Sequence, residues 1–184
     1  MPRRRIFRPA PSPRRWRGPL ALLGLAAGVA FLAGIGGTGS LMGGSPEDQE
    51  WTAPASAVRV VDGETLRVGD RVVRLRGVEA PDRGESCRDA AGRSLDCGAG
   101  AAEALARLIA GHDVTCRMGG RDRMGRGLGR CMAATVNVNA ALVSGGWALA
   151  SDPDLSSQQG AARAAGSGFW AAGAVPPAAW RGLR

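Results

Sequence analysis

Lysine and tyrosine are absent from this chain, and histidine occurs once, at His112. Without lysine every basic contact must come from an arginine guanidinium, which excludes a compact ammonium from any site. Without tyrosine, aromatic stacking falls to five tryptophans and three phenylalanines. The four cysteines include no C-x-x-C pair, and with a single histidine they argue against a zinc centre. No internal repeat is present, which sets aside repeat architectures.

Charge is missing from one long stretch, Pro19 to Ser45. Its apolar part, Leu20 to Leu41, is long enough to cross a hydrocarbon core of roughly 30 Å as a helix. Arg3, Arg4, Arg5, Arg8, Arg14, Arg15 and Arg17 precede it, and the first acids, Glu47, Asp48 and Glu50, follow. The positive-inside rule then puts residues 1–18 in the cytoplasm, an anchor over 19–42 in the cell (inner) membrane, and the remainder in the periplasm or outside the cell. A cleaved signal peptide is the rival reading, but the basic segment is long and no Ala-x-Ala site closes the apolar run.

The net charge of +8 is therefore a local property. Seven of the 24 basic residues lie in the N-terminal segment, leaving 17 against 16 acids. A near-neutral domain gives no support by charge alone to nucleic-acid binding. Cys87, Cys97, Cys116 and Cys131 all fall in the exported part, and an even count there reads as two disulfides. Cys116 and Cys131 sit on strands expected to flank one turn, which leaves Cys87 for Cys97; two other connectivities remain formally open.

Residues 43–55 have linker composition, and 174–184 form a patternless tail. Between them, Ser56 to Val61, Glu64 to Val68 and Arg71 to Arg76 alternate apolar and polar residues around Asp62-Gly63 and Gly69-Asp70, the pattern of a three-stranded meander. Asp82 to Cys97 is polar and reads as a long loop. Ala101 to Ile109 carries one apolar helical face, and Val114 to Met118 and Leu128 to Ala133 read as two more strands. Helices over Val136 to Ser144 and Gln158 to Trp170 complete the domain. The expected fold is α+β: a five-stranded Greek-key barrel of the oligonucleotide-binding type with about three helices, preceded by one transmembrane helix. Trp147 and Trp170 each end an apolar stretch and read as core.

Two segments concentrate arginines and carboxylates beside Pro and Gly: Arg74-Leu75-Arg76-Gly77-Val78-Glu79-Ala80-Pro81-Asp82 and Asp122-Arg123-Met124-Gly125-Arg126. A planar guanidinium donates two parallel hydrogen bonds to phosphate oxygens. Carboxylates hold a hard cation and can orient a water. With Asp62-Gly63-Glu64-Thr65 upstream and Leu142-Val143-x-x-Gly146-Trp147-Ala148 downstream, the order of these motifs resembles the thermonuclease family, also called staphylococcal nuclease-like domains. The resemblance covers about Ser56 to Gly173.

That resemblance implies a calcium-dependent hydrolase of DNA or RNA, acting on single strands, with no small-molecule cofactor. It implies that Arg74 and Arg126 grip the scissile phosphate and that Asp82 directs the attacking water. Glu64, Glu79 and the Ala80 carbonyl would bind calcium. The chain departs from the family where it has Glu64 and Glu79 for Asp, Asp82 for Glu, and Met124 for tyrosine. A methylene moves a carboxylate by over 1 Å, and a displacement of about 1 Å can cost on the order of a hundredfold in rate. The alternative is a barrel that has kept the fold and lost turnover, binding a nucleic acid or a protein at the membrane.

Overall fold

The computed structural model describes residues 49–171 and 173. They lie in one of the chain's two compact units, Met42–Arg184. The basic segment, the expected anchor and the C-terminal tail lie outside the described residues. Among the described residues no helix is long and apolar enough to cross a membrane.

Eleven strands and three α-helices alternate along the described chain: β1 (Glu50–Ala53), β2 (Val58–Val60), β3 (Thr65–Val68), β4 (Arg71–Leu75), β5 (Val78–Glu79), β6 (Ser86–Arg88), β7 (Ser94–Asp96), α1 (Cys97–Ile109), β8 (Val114–Arg121), β9 (Gly127–Ala133), β10 (Val136–Asn137), α2 (Val138–Ser144), β11 (Leu149–Ala150) and α3 (Ser156–Ala164). The main sheet runs β1-β8-β9-β4-β3-β2, with β10 added to β9. β4 and β9 pair in parallel, and every other pair in this sheet is antiparallel. The meander and the two later strands are thus present in the expected places, in a mixed α+β fold consistent with the oligonucleotide-binding type.

The expected barrel is not closed. β1 occupies the free edge of β8, from Glu50 opposite Arg117 to Ala53 opposite Val114, so β8 and β2 do not meet along the hydrogen-bonded path. β1 lies inside the stretch whose composition reads as linker. Its Trp51-Thr52 pair supplies strand-forming residues, and the Thr52 and Thr115 hydroxyls hydrogen-bond across the pair at 3.0 Å.

Strand alternation builds the core. β8 and β9 bury every second residue, including Val114, Cys116, Cys131 and Ala133. Leu66, Val73 and Leu75 of the meander meet Ala101 and Leu105 of α1 and Leu142 and Val143 of α2 in one cluster. Full burial of one such large apolar side chain contributes about 1.5–3 kcal/mol. α1 starts where the Asp96 carboxylate accepts the Ala99 amide, and α2 where the Asn137 side chain accepts that of Ala140. Trp147 packs edge-on against Phe169, with ring centroids 5.2 Å apart.

Two details differ from the sequence reading. The helix expected over Gln158 to Trp170 ends at Ala164, and a separate 3-10 turn covers Gly168–Trp170, because Gly166 and Gly168 both take positive φ. The loop from Asp82 to Cys97 contains the β6–β7 hairpin. Cys87 and Cys97 are disulfide-bonded across the base of that hairpin, and Cys116 and Cys131 face each other on β8 and β9 and form the second disulfide.

Candidate functional site

Glu64 is the most constrained of the candidate residues. It precedes β3, where the Asp62 carboxylate accepts the Glu64 amide and buried Gly63 is pressed against Ala101 and Ala80. A Cβ on Gly63 would stand 2.6 Å from the Ala101 Cβ and 2.8 Å from the Ala80 Cβ. That close approach brings Glu64 under Arg74. Glu64 Oε1 pairs with Arg74 Nη2 at 2.8 Å, and Glu64 Oε2 accepts the Ala80 amide at 3.0 Å.

The Glu64 carboxyl is buried, and the loss of hydration pushes its pKa up to about 7. The Ala80 amide and Arg74 oppose that shift without cancelling it, and the nearby Asp62 charge adds to it.

Arg126 is placed by a tight turn. Asp122 Oδ1 accepts the amides of Met124 and Arg126, each at 2.9 Å, and Asp122 Oδ2 accepts Arg126 Nε at 2.6 Å. Gly125, at φ +78°, closes the turn by donating to the Asp122 carbonyl. Burial works to raise the Asp122 pKa, but the Arg126 guanidinium and the two amides outweigh it and hold the carboxyl below its usual value.

The parallel pairing of β4 and β9 decides where the two arginines point. Arg74 lies beside Leu128, and Val73 beside Gly127. Residues two apart on a strand share a face, so Arg126, two before Leu128, lies on the Arg74 face. Burial agrees: Val73, Leu75, Gly127 and Gly129 are buried on the opposite face, while Arg74, Arg126 and Leu128 are half-buried. Each arginine has one nitrogen on a carboxylate, Nη2 for Arg74 and Nε for Arg126, which leaves further N–H groups on both guanidiniums for an anion.

The remaining candidates are less tightly grouped. Glu79 is half-buried on β5, opposite Leu149 of β11. Asp82 follows buried Pro81 and is exposed; its amide donates to Glu85 Oε2, and its carboxylate makes no hydrogen bond or ion pair among the described residues. Its carbonyl is pressed against the first turn of α1, where a Cβ on Gly98 would come within 1.9 Å of it. Among the described residues no three acidic, histidine or cysteine side chains gather as a metal cluster. Both Glu64 oxygens are engaged, by Arg74 and by the Ala80 amide, so the expected calcium set offers two carboxylates and one carbonyl, with water needed to complete a hard cation's shell.

Sequence reasoning gave no individual role to Asp122 or Asp62. Both are turn acids that accept the amide of the residue two positions on, and the Asp-Gly and Asp-x-x-Gly spacings are the signals that carry this.

An open sheet of this order with paired arginines on one face defines a class, and comparison places the chain within it. Residues 72–172 match the Staphylococcal nuclease homologue family, and the chain belongs to that family. It is 37% identical over 119 residues to the Succinoglycan biosynthesis protein ExoI of Rhizobium meliloti (strain 1021), a match covering 61% of this chain and 62% of that protein. The chain thus spans less than two thirds of that relative. It is also 37% identical over 135 residues to proteins named "Uncharacterized endonuclease" from Escherichia coli O157:H7 and Escherichia coli, covering 67% of this chain and 82% of each.

Proposed function

We propose that the chain is an extracytoplasmic, calcium-dependent nuclease that hydrolyses phosphodiester bonds of single-stranded DNA or RNA, held at the cell membrane by its N-terminal apolar segment. The observation that carries this reading is the placement of Arg74 and Arg126 on one sheet face, with buried Glu64 beneath Arg74. Family membership and the endonuclease names of two relatives support it. The anchor and the location rest on the uncharged run and its arginine flank.

Hydrolysis builds negative charge on the phosphate oxygens, and cations fixed in advance lower that barrier most. Arg74 and Arg126 donate to those oxygens with the N–H groups that Glu64 and Asp122 leave over. The carboxylates hold each guanidinium in place, so little side-chain freedom is lost on binding. Asp82, exposed at the start of its loop, accepts a hydrogen bond from the incoming water and takes its proton. Glu64, Glu79 and the Ala80 carbonyl would hold the calcium, which supplies charge neutralisation at the phosphate.

One observation favours a second reading, a binding module without turnover. The Asp82 carboxylate stands apart from Glu64, Arg74 and Arg126 in hydrogen bonding, and all three acids differ in length from the family's. The test is cleavage of single-stranded DNA by the full-length protein with calcium and with a chelator. Cleavage that calcium restores, and that an Arg74→Ala, Arg126→Ala double variant abolishes, is expected. Equal residual cleavage by wild type and double variant sinks the enzyme reading.

A further inference from the structure

At the end of the sheet closed by the β8–β9 turn lies a groove of about 480 Å³ that the proposed chemistry does not use. Its walls come from Trp51 on β1, Arg71 and Val72 at the start of β4, Arg121 at the end of β8, and the Met124–Gly127 part of the turn. Arg126 belongs to both the groove and the candidate site. Three arginines are among the groove's lining residues, and no aspartate or glutamate is.

Trp51 touches both Gly127 and Arg71. A Cβ on Gly127 would lie 3.0 Å from the ring, and the Arg71 guanidinium carbon lies 4.9 Å from the ring centroid. This cation–π contact restrains Arg71, which lines the groove and has N–H groups for an anion. Arg121 uses Nη1 on the Gly125 carbonyl and keeps further donors. The Arg71 contact with Asp70, at 3.8 Å and exposed, is too weak to cancel its charge.

We propose that this groove carries the nucleic-acid strand flanking the scissile phosphate, with Arg71 and Arg121 on its backbone phosphates and Trp51 as the residue that positions Arg71. The proposal rests on the nuclease reading for the identity of its ligand. Charge complementarity selects a polyanion. Trp51, Arg71 and Arg121 lie on the Gly127 face of the sheet, opposite Arg74, and Arg126, at the turn that ends the sheet, borders both the groove and the candidate site, so the strand would pass round that turn. A volume within the roughly 300–1,000 Å³ of small-molecule pockets has room for one or two extended nucleotides.

The test measures binding of single-stranded DNA to the full-length protein, with calcium chelated, using a dinucleotide and a strand of about twelve nucleotides, within the site size of such folds. Wild type should bind the longer strand more tightly. An Arg71→Ala, Arg121→Ala variant should lose most of that gain and keep dinucleotide affinity. The slope of log K against log salt should flatten by about 1.4, for two lost phosphate contacts on a single strand. Arg71→Lys, Arg121→Lys should restore the slope, which a merely misfolded variant would not do. An unchanged slope in the alanine variant, an equal loss on the dinucleotide, or no length dependence in wild type overturns the groove. Length-dependent binding without cleavage when calcium is returned overturns the nuclease reading and leaves the groove standing.

Discussion

Asp89-Ala90-Ala91-Gly92-Arg93 and Asp122-Arg123-Met124-Gly125-Arg126 fold into the same turn in two different parts of the molecule. In each, the aspartate Oδ1 accepts the amides two and four residues on, and Oδ2 accepts the arginine Nε. In each, the glycine stands at φ +78° and donates to the aspartate carbonyl. Both aspartates are held below their usual pKa, Asp89 first of all by the Arg93 amide. The surroundings differ. Arg93 joins the two short strands of the stapled hairpin and its side chain is 80% exposed, whereas Arg126 is 28% exposed and shares a sheet face with Arg74.

The Asp-x-x-Gly-Arg spacing therefore encodes a locked hairpin turn. In the proposed function a site arises only where the sheet sets a second arginine on the same face. Removing that neighbour is the strongest way to erase the distinction. Arg74→Ala should lower kcat by about 10²- to 10³-fold, the range for losing one donor to developing charge. A loss well under tenfold, measured at saturating substrate, would mean Arg74 only pairs with Glu64.

Proton titration separates the site from both turns. Glu64 has its folded pKa raised from 4.5 to about 7, so the stability it contributes is full below about 4.5 and lost as pH rises through 7. The turn aspartates have lowered values, so their contribution is present above 3.8 and lost as pH falls. Melting temperature without metal should thus fall from pH 4.5 to 7 in wild type, and this fall should be reduced in Glu64→Gln. Identical profiles would show that Glu64 is not buried as described.

A smaller effect sharpens the comparison from the other side. Asp122→Asn weakens the hold on Arg126 and should lower kcat/KM about three- to tenfold, the size of one ordinary net hydrogen bond. Asp89→Asn should leave kcat/KM unchanged, while both lower the melting temperature measured by circular dichroism. Equal kinetic loss in the two variants would tie both turns to folding alone.

Much of this was legible in the sequence. Alternation placed β2, β3, β4, β8 and β9, and the arginine and acid motifs named Glu64, Arg74 and Arg126 because local turns and strand parity fix those side chains. What was not legible depends on partners distant in sequence. β1 is a strand because the β8 edge is open to it, which composition in residues 43–55 conceals. The Trp51–Arg71 stack needs that strand first, and the likeness of the two Asp-x-x-Gly-Arg turns shows only once their hydrogen bonds are known. Asp82 was named by motif, and its backbone is held by Glu85 and by the close approach of Gly98, contacts that no motif displays.

The most direct measurement compares Arg126→Ala with Arg93→Ala in calcium-supported cleavage of single-stranded DNA by the full-length protein. The two substitutions remove the same residue from the same turn. Arg126→Ala should reduce kcat/KM by about a hundredfold or more, and Arg93→Ala should match wild type. Matching losses, or no loss from Arg126→Ala, would contradict the claim that position on the sheet face, and not the turn motif, makes the site.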